Sequence, residues 1–75
     1  MKVTVKLFSY LINQAGFSQK EIELPAPVTI QELLEIIQIK PSLAKIILRN
    51  GQPARPDDLV EDGDRLVISP IFSGG

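Results

Sequence analysis

The residues of this 75-residue chain best suited to chemistry are its last two, Gly74 and Gly75. A terminal carboxylate is a poor acyl donor until its oxygen becomes a good leaving group. Once activated, it can be handed to a nucleophile. Two glycines lack Cβ, so the chain there is thin enough to thread a channel in a partner. The six residues from Pro70 to Gly75 span about 20 Å when extended, at roughly 3.3–3.6 Å each. That reach would place the carboxylate inside a partner's site while the body of the protein stays outside. A diglycine end arises by chance in about one chain in 200, so its meaning depends on what precedes it.

Little else in the sequence competes as a reactive group. There is no Cys and no His, which excludes disulfides, thiolate metal sites, a thiol nucleophile and the commonest general base. No nucleophile–base pair is evident, so an enzyme is the weakest reading. The acids Asp57, Asp58, Glu61, Asp62 and Asp64 fail the calcium-loop pattern, because counting back from Gly63 puts Val60 at the third position. They read as a solvated loop. Eight basic residues against nine acidic ones give a net charge of −1, unlike the strong positive balance of a nucleic-acid binder. No apolar run approaches the roughly 18–20 residues of a membrane span. The alternating start from Met1 to Phe8 lacks the continuous apolar stretch of a signal peptide. The expected compartment is the cytoplasm.

The elements that must position the terminus follow from periodicity. Val3, Val5 and Leu7 alternate with Lys2, Thr4, Lys6 and Phe8, predicting a strand with one buried face. Between Ser9 and Gln19 the pattern is less regular, with a helical turn at Tyr10–Ile12. Residues 20–24 alternate again, burying Ile22 and Leu24, and Pro25 and Pro27 stop that strand. Thr29 with Glu32 forms a capping box, and Val28 with Leu33 a hydrophobic staple. Ile30, Leu33, Leu34 and Ile37 make one apolar stripe, and Pro41 ends the helix. A third strand covers 45–49, and Asn50-Gly51 is a strong hairpin signal. Gln52-Pro53-Ala54 allows a brief edge strand. After a polar connection pinned by Leu59 and Val60, the turn Asp62-Gly63-Asp64 leads into the last strand, 65–69. One helix across one mixed sheet of four to five strands is the economical way to bury these faces. The predicted fold is therefore α+β, a β-grasp, with residues 1–75 as a single domain and 70–75 as a flexible tail.

The hairpin, the capped helix, Asp62-Gly63-Asp64 before an apolar strand, and the ending Gly74-Gly75 together resemble the MoaD/ThiS family of ubiquitin-like sulfur carriers. The likeness spans the whole chain in order of elements; its specific part is 62–64 and 70–75. The long stretch between the first two strands and the ending Ser69-Pro70-Ile71-Phe72-Ser73-Gly74-Gly75 are similar to the molybdopterin synthase small subunit. The short path from helix to third strand is instead similar to the thiamine carriers. Ile12-Asn13 stands where the molybdopterin type often has Arg-Glu. The balance favours the molybdopterin or tungstopterin branch.

The resemblance implies a carrier that binds no cofactor of its own. Its partners would be an ATP-dependent activating enzyme that adenylates Gly75, a sulfur donor that converts the acyl adenylate to a thiocarboxylate, and the large subunit of molybdopterin synthase. A protein modifier, in which the same activated glycine passes to a lysine, needs the same residues. A plain β-grasp binding module would leave the tail idle. Strand parity adds a surface. With Leu66 and Ile68 inward, Val67 and Ile71 face out. Ile47 is expected outward with Lys45 and Arg49, and Phe8 with Lys6. Phe8, Ile47, Arg49, Val67, Ile71 and Phe72 are then an expected partner interface, an apolar patch with a basic rim suited to an acidic partner surface.

Overall fold

The computed structural model describes residues 1–70. Strand β1 (Lys2–Leu7) leads through a short helix α1 (Leu11–Ala15) into β2 (Gln19–Glu23). Helix α2 (Ile30–Ile36) and a 3₁₀ turn (Pro41–Leu43) then precede β3 (Ile46–Arg49), β4 (Gln52–Pro53) and β5 (Arg65–Ser69). The strands form one sheet in the order β2-β1-β5-β3-β4. β1 and β5 are parallel, and every other neighbouring pair is antiparallel. This is the β-grasp arrangement that the sequence pattern predicts.

The core lies between α2 and one face of the sheet. Val3, Val5 and Leu7 of β1 and Leu66 and Ile68 of β5 are buried with Ile30, Leu33 and Leu34 of α2. Leu11, from α1, and Val60, from the loop before β5, close its ends. Removal of this aliphatic surface from water is the main favourable term for a chain without disulfides.

Local chemistry sets the helix ends. At the start of α2 the Thr29 backbone N–H donates to Glu32 Oε1 at 2.9 Å, and the Glu32 N–H donates to Thr29 Oγ1 at 3.1 Å. The predicted capping box is thus complete, and Val28 packs against the core that holds Leu33. At the other end the Ile39 N–H donates to the Leu34 carbonyl across Gln38, whose φ is 66°. That is a Schellman-type stop, a place usually taken by glycine because a Cβ is strained there. The chain turns without glycine because Ile39 just beyond is buried and holds it.

Two elements depart from the sequence reading. The turn predicted at Tyr10–Ile12 is a helix over Leu11–Ala15, ended by Gly16 at φ 86°. The 3₁₀ turn at Pro41–Leu43 was not legible in the pattern; Pro at its first position needs no N–H donor, which suits a helical start.

The Thr29 backbone N–H and then its hydroxyl, both donating to Glu32, hold that carboxyl below its ordinary value of 4.5. A depressed carboxylate stabilises the fold above its unfolded pKa, and the contribution fades as pH falls through the folded value. The stability advantage of the wild type over Glu32→Gln should therefore shrink on acidification below about pH 4.5, read from thermal melts at a series of pH values. An advantage that stays constant into strong acid would contradict the charged cap. Gln38→Gly should raise stability by about 0.5–1 kcal/mol in urea titrations, the released left-handed strain outweighing the greater freedom of the unfolded chain.

Candidate functional site

The face of the sheet turned away from α2 is assembled by the register of four strands. Lys6 of β1 aligns with Val67 of β5, Val67 with Leu48 of β3, and Leu48 with Pro53 of β4. Two residues along, Ile46 aligns with Ser69. Ile46, Leu48 and Val67 are half-buried, shielded by one another rather than by the helix. Lys6 and Arg65 flank this apolar stripe, and both are exposed. Phe8 follows β1 and is 42% exposed, with the Lys6 ammonium 5.2 Å from its ring centroid. The Phe8 N–H donates to the Ile68 carbonyl at 3.2 Å, so this aromatic residue stands beside the end of β5, where the chain heads towards its terminus.

Two of the expected interface residues do not belong to this face. Ile47 aligns with Ile68 and is buried at 7% exposure; it is a core residue. Arg49 aligns with Leu66 and so shares the helix side of the sheet. Its guanidinium donates to the Leu59 carbonyl at 2.6 Å and lies 3.9 Å from the Asp64 carboxylate. Parity misleads here because Lys45 and Arg49, the two charges that bracket the strand, do not mark its solvent side. Arg49 is on the core side instead, at the end of a short strand, where its guanidinium reaches Leu59 and Asp64. The neighbours of Ile47, Ile46 and Leu48, take its place on the open face. In a run of three apolar residues alternation gives no sign of the face, so only pairing with β5 decides it.

Phe8 and Val67 are where parity placed them. Ile71, Phe72, Gly74 and Gly75 lie outside the described residues. Pro70, the first residue assigned to the tail, is buried. Tyr10, at the start of α1 two residues beyond Phe8, is a second exposed aromatic residue, 45% accessible.

The turn Asp62-Gly63-Asp64 has a structural explanation. Asp62 Oδ1 accepts the Lys2 N–H at 2.7 Å, and the Gly63 N–H, at a residue with φ 85°, donates to the Lys2 carbonyl at 2.8 Å. The Asp64 carbonyl accepts the Thr4 N–H. Asp64 itself is buried, and its carboxylate accepts from Asn50 Nδ2 at 3.0 Å and the Glu61 N–H at 2.8 Å. The motif ties the start of β5 to β1 on one side and to the β3–β4 hairpin on the other. Among the described residues no group of acids is arranged to hold a metal ion, and no helix is long and apolar enough to cross a membrane.

The sequence model of the ThiS family matches residues 5–75. The chain belongs to the ThiS family. Solved structures share its fold, among them the following three. A Pyrococcus furiosus protein described as molybdopterin converting factor, subunit 1, is 27% identical with a TM-score of 0.74, over 96% of this chain and 99% of that one. SAMP1 of Haloferax volcanii is 25% identical with a TM-score of 0.73 over the whole of both chains. The HVO 2177 protein of the same organism reaches a TM-score of 0.75 over 100% of this chain and 87% of its own, at 16% identity, a likeness of fold alone. No curated protein matches this chain. As a ThiS-family protein it belongs with ubiquitin-fold sulfur carriers and modifiers, small carrier proteins rather than catalysts.

The two sides of the sheet give a direct contrast. Val67→Asp or Leu48→Asp should cost less than about 1 kcal/mol in urea denaturation, because the new carboxylate can reach water. Ile47→Asp should cost more than about 3 kcal/mol, since it buries an unpaired charge. Equal losses at positions 47 and 48 would mean that the open face is not open.

Proposed function

We propose that this protein is a sulfur carrier for molybdopterin or tungstopterin biosynthesis, with Gly75 as its reactive residue. The Gly75 carboxylate attacks the α-phosphorus of ATP on an activating enzyme, pyrophosphate leaves, and an acyl adenylate forms. Sulfur from a donor replaces the adenylate, AMP leaves, and the resulting thiocarboxylate passes sulfur to the pterin precursor on a larger synthase subunit. Gly74 keeps the approach to that carbon clear of side chains. The chain supplies the substrate group, and its partners supply the catalysis.

The observation that carries this reading is the ThiS-family match running through residue 75, together with the similarity to the Pyrococcus protein over nearly all of both chains. The open face fits the same role. An apolar stripe of Ile46, Leu48 and Val67, rimmed by Lys6, Arg65 and Phe8, is a surface for docking while the tail is inserted, and its basic rim favours acidic partners. The expected setting is the cytoplasm, where the pathway's partners would be.

A second reading, the protein modifier, is favoured by the 25% identity with SAMP1 over the full length of both chains. In it the activated Gly75 is transferred to the amine of a lysine on another protein. The acceptor separates the two.

Deletion of Gly75 should abolish sulfur transfer in a reconstituted synthase reaction while leaving the melting temperature unchanged, because β5 ends at Ser69, six positions earlier in the sequence. Sulfur transfer that survives the deletion would exclude the carrier role. Isopeptide-linked adducts on many proteins, lost with Gly75 and unaccompanied by any thiocarboxylate, would favour the modifier.

A further inference from the structure

Asn50-Gly51 combines a chemically labile pair with an unusual set of restraints. The two residues form the turn between β3 and β4 with φ of 53° and 83°, the left-handed pair that a type I′ hairpin requires. Gly51 is exposed, and a Cβ built there would meet nothing within 4 Å. Packing therefore offers this peptide no protection from water. The Asn50 side chain, in contrast, is held at both ends. Its Oδ1 accepts the Arg65 N–H at 2.9 Å, and its Nδ2 donates to the buried Asp64 carboxylate at 3.0 Å. The Asn50 N–H donates to the Arg65 carbonyl at 2.8 Å. The hairpin turn is thereby fastened to the start of β5.

An asparagine followed by glycine is open to intramolecular hydrolysis, because no Cβ obstructs the approach of the next backbone nitrogen. The Gly51 nitrogen attacks Asn50 Cγ and a C–N bond forms. The Cγ–Nδ2 bond breaks, and the leaving nitrogen takes the amide proton and departs as ammonia. Water then opens the cyclic imide at either carbonyl, giving aspartate or isoaspartate. One water is consumed, one ammonia is released, and nothing is oxidised or reduced. The reaction needs the amide group to swing towards the Gly51 nitrogen, which the bonds to Asp64 and Arg65 prevent.

We propose that Asn50-Gly51 is a hydrolytic modification site held in check by Asp64 and Arg65, and that its conversion loosens the junction between the hairpin and β5. Conversion replaces the Nδ2 donor with a carboxylate oxygen facing Asp64. Two carboxylates at hydrogen-bond distance cannot both stay ionised without mutual repulsion. The charged residues that touch the pair are Arg49 of β3, 3.9 Å from Asp64, Glu61, whose backbone N–H donates to Asp64, and Arg65 of β5, whose backbone N–H donates to Asn50. The Arg49 guanidinium is the cation in an ion pair with Asp64, and it would then face two anions. The site acts as a record of opening: each time the hairpin detaches, the amide becomes free to react, and the product resists re-closure.

The test is peptide mapping by mass spectrometry after incubation at mildly alkaline pH, with Asn13, the other asparagine of the chain, as internal reference. In the folded wild type Asn50 should convert roughly tenfold or more slowly than in the urea-unfolded chain, the factor set by local opening. Folded Asp64→Ala should approach the unfolded rate. Conversion of the folded wild type as fast as the unfolded chain, or no acceleration in Asp64→Ala, would overturn the proposal. If Asp64→Ala fails to fold, Asn50→Asp carries the test. Its melting temperature should lie below that of the wild type near neutral pH and approach it in acid, where the pair retains a proton; a carboxyl with a raised pKa stabilises at low pH and loses that contribution as pH rises. Equal stability near neutral pH would overturn the proposed consequence.

Discussion

The parallel pairing of β1 with β5 is the constraint on which the rest of the molecule depends. It joins the first strand to the last described one, with Val5 beside Leu66 and Leu7 beside Ile68, and so places β5 in the middle of the sheet. A parallel neighbour cannot be made by a tight turn and requires a long connection. Here that connection carries α2, which covers the apolar face of the pair. The hydrogen bonds of the 62–64 turn fix the relative height of the two strands, since Lys2 and Thr4 are gripped by Asp62, Gly63 and Asp64. Register follows from that grip, and with it the face on which every residue of β5 lies.

Once β5 is fixed, its other edge determines β3. The antiparallel ladder from Ile46–Ser69 to Arg49–Leu66 sends Ile47 inward and exposes Ile46 and Leu48 beside Val67. The open face is therefore a product of the same register that builds the core. Asp64 couples the two ladders, because one buried carboxylate meets the hairpin through Asn50 and the loop through the Glu61 N–H. Among the described residues no buried side-chain polar atom lacks a partner, so the cost of burying this charge is met by its hydrogen bonds.

Much of this was legible in the sequence where one local rule acts alone. The alternation of β1 and β5, the Thr29–Glu32 box and the Asn50-Gly51 turn each announce their structure, since strand pleat, helix cap and left-handed turn have strong residue preferences. The reading failed where a tertiary choice decides. Ile46-Ile47-Leu48 has no alternation, so its inward residue is chosen by Ile68 across the ladder. Gln38 gives no sign of a left-handed helix stop, because the burial of Ile39 enforces it. The Asp62-Gly63-Asp64 turn could be recognised as a motif, but its purpose is visible only when Lys2, Thr4 and Asn50 arrive beside it. Of the proposed site, residue type alone pointed to Gly74 and Gly75, whereas half of the open face had to come from the fold.

The physical division of labour is then plain: a rigid sheet presents an apolar stripe, and the proposed chemistry belongs to a segment without side chains at its end. The most direct test of that claim uses the absence of Cys from the chain. After incubation with ATP, a sulfur donor and an activating enzyme from the same organism, the protein is treated with a thiol-directed alkylating agent and analysed by intact mass and peptide mapping. The account predicts one alkyl group, located on Gly75, because a thiocarboxylate would be the expected thiol-like target. An unmodified protein, in the presence of an activating enzyme shown to be active, would contradict it.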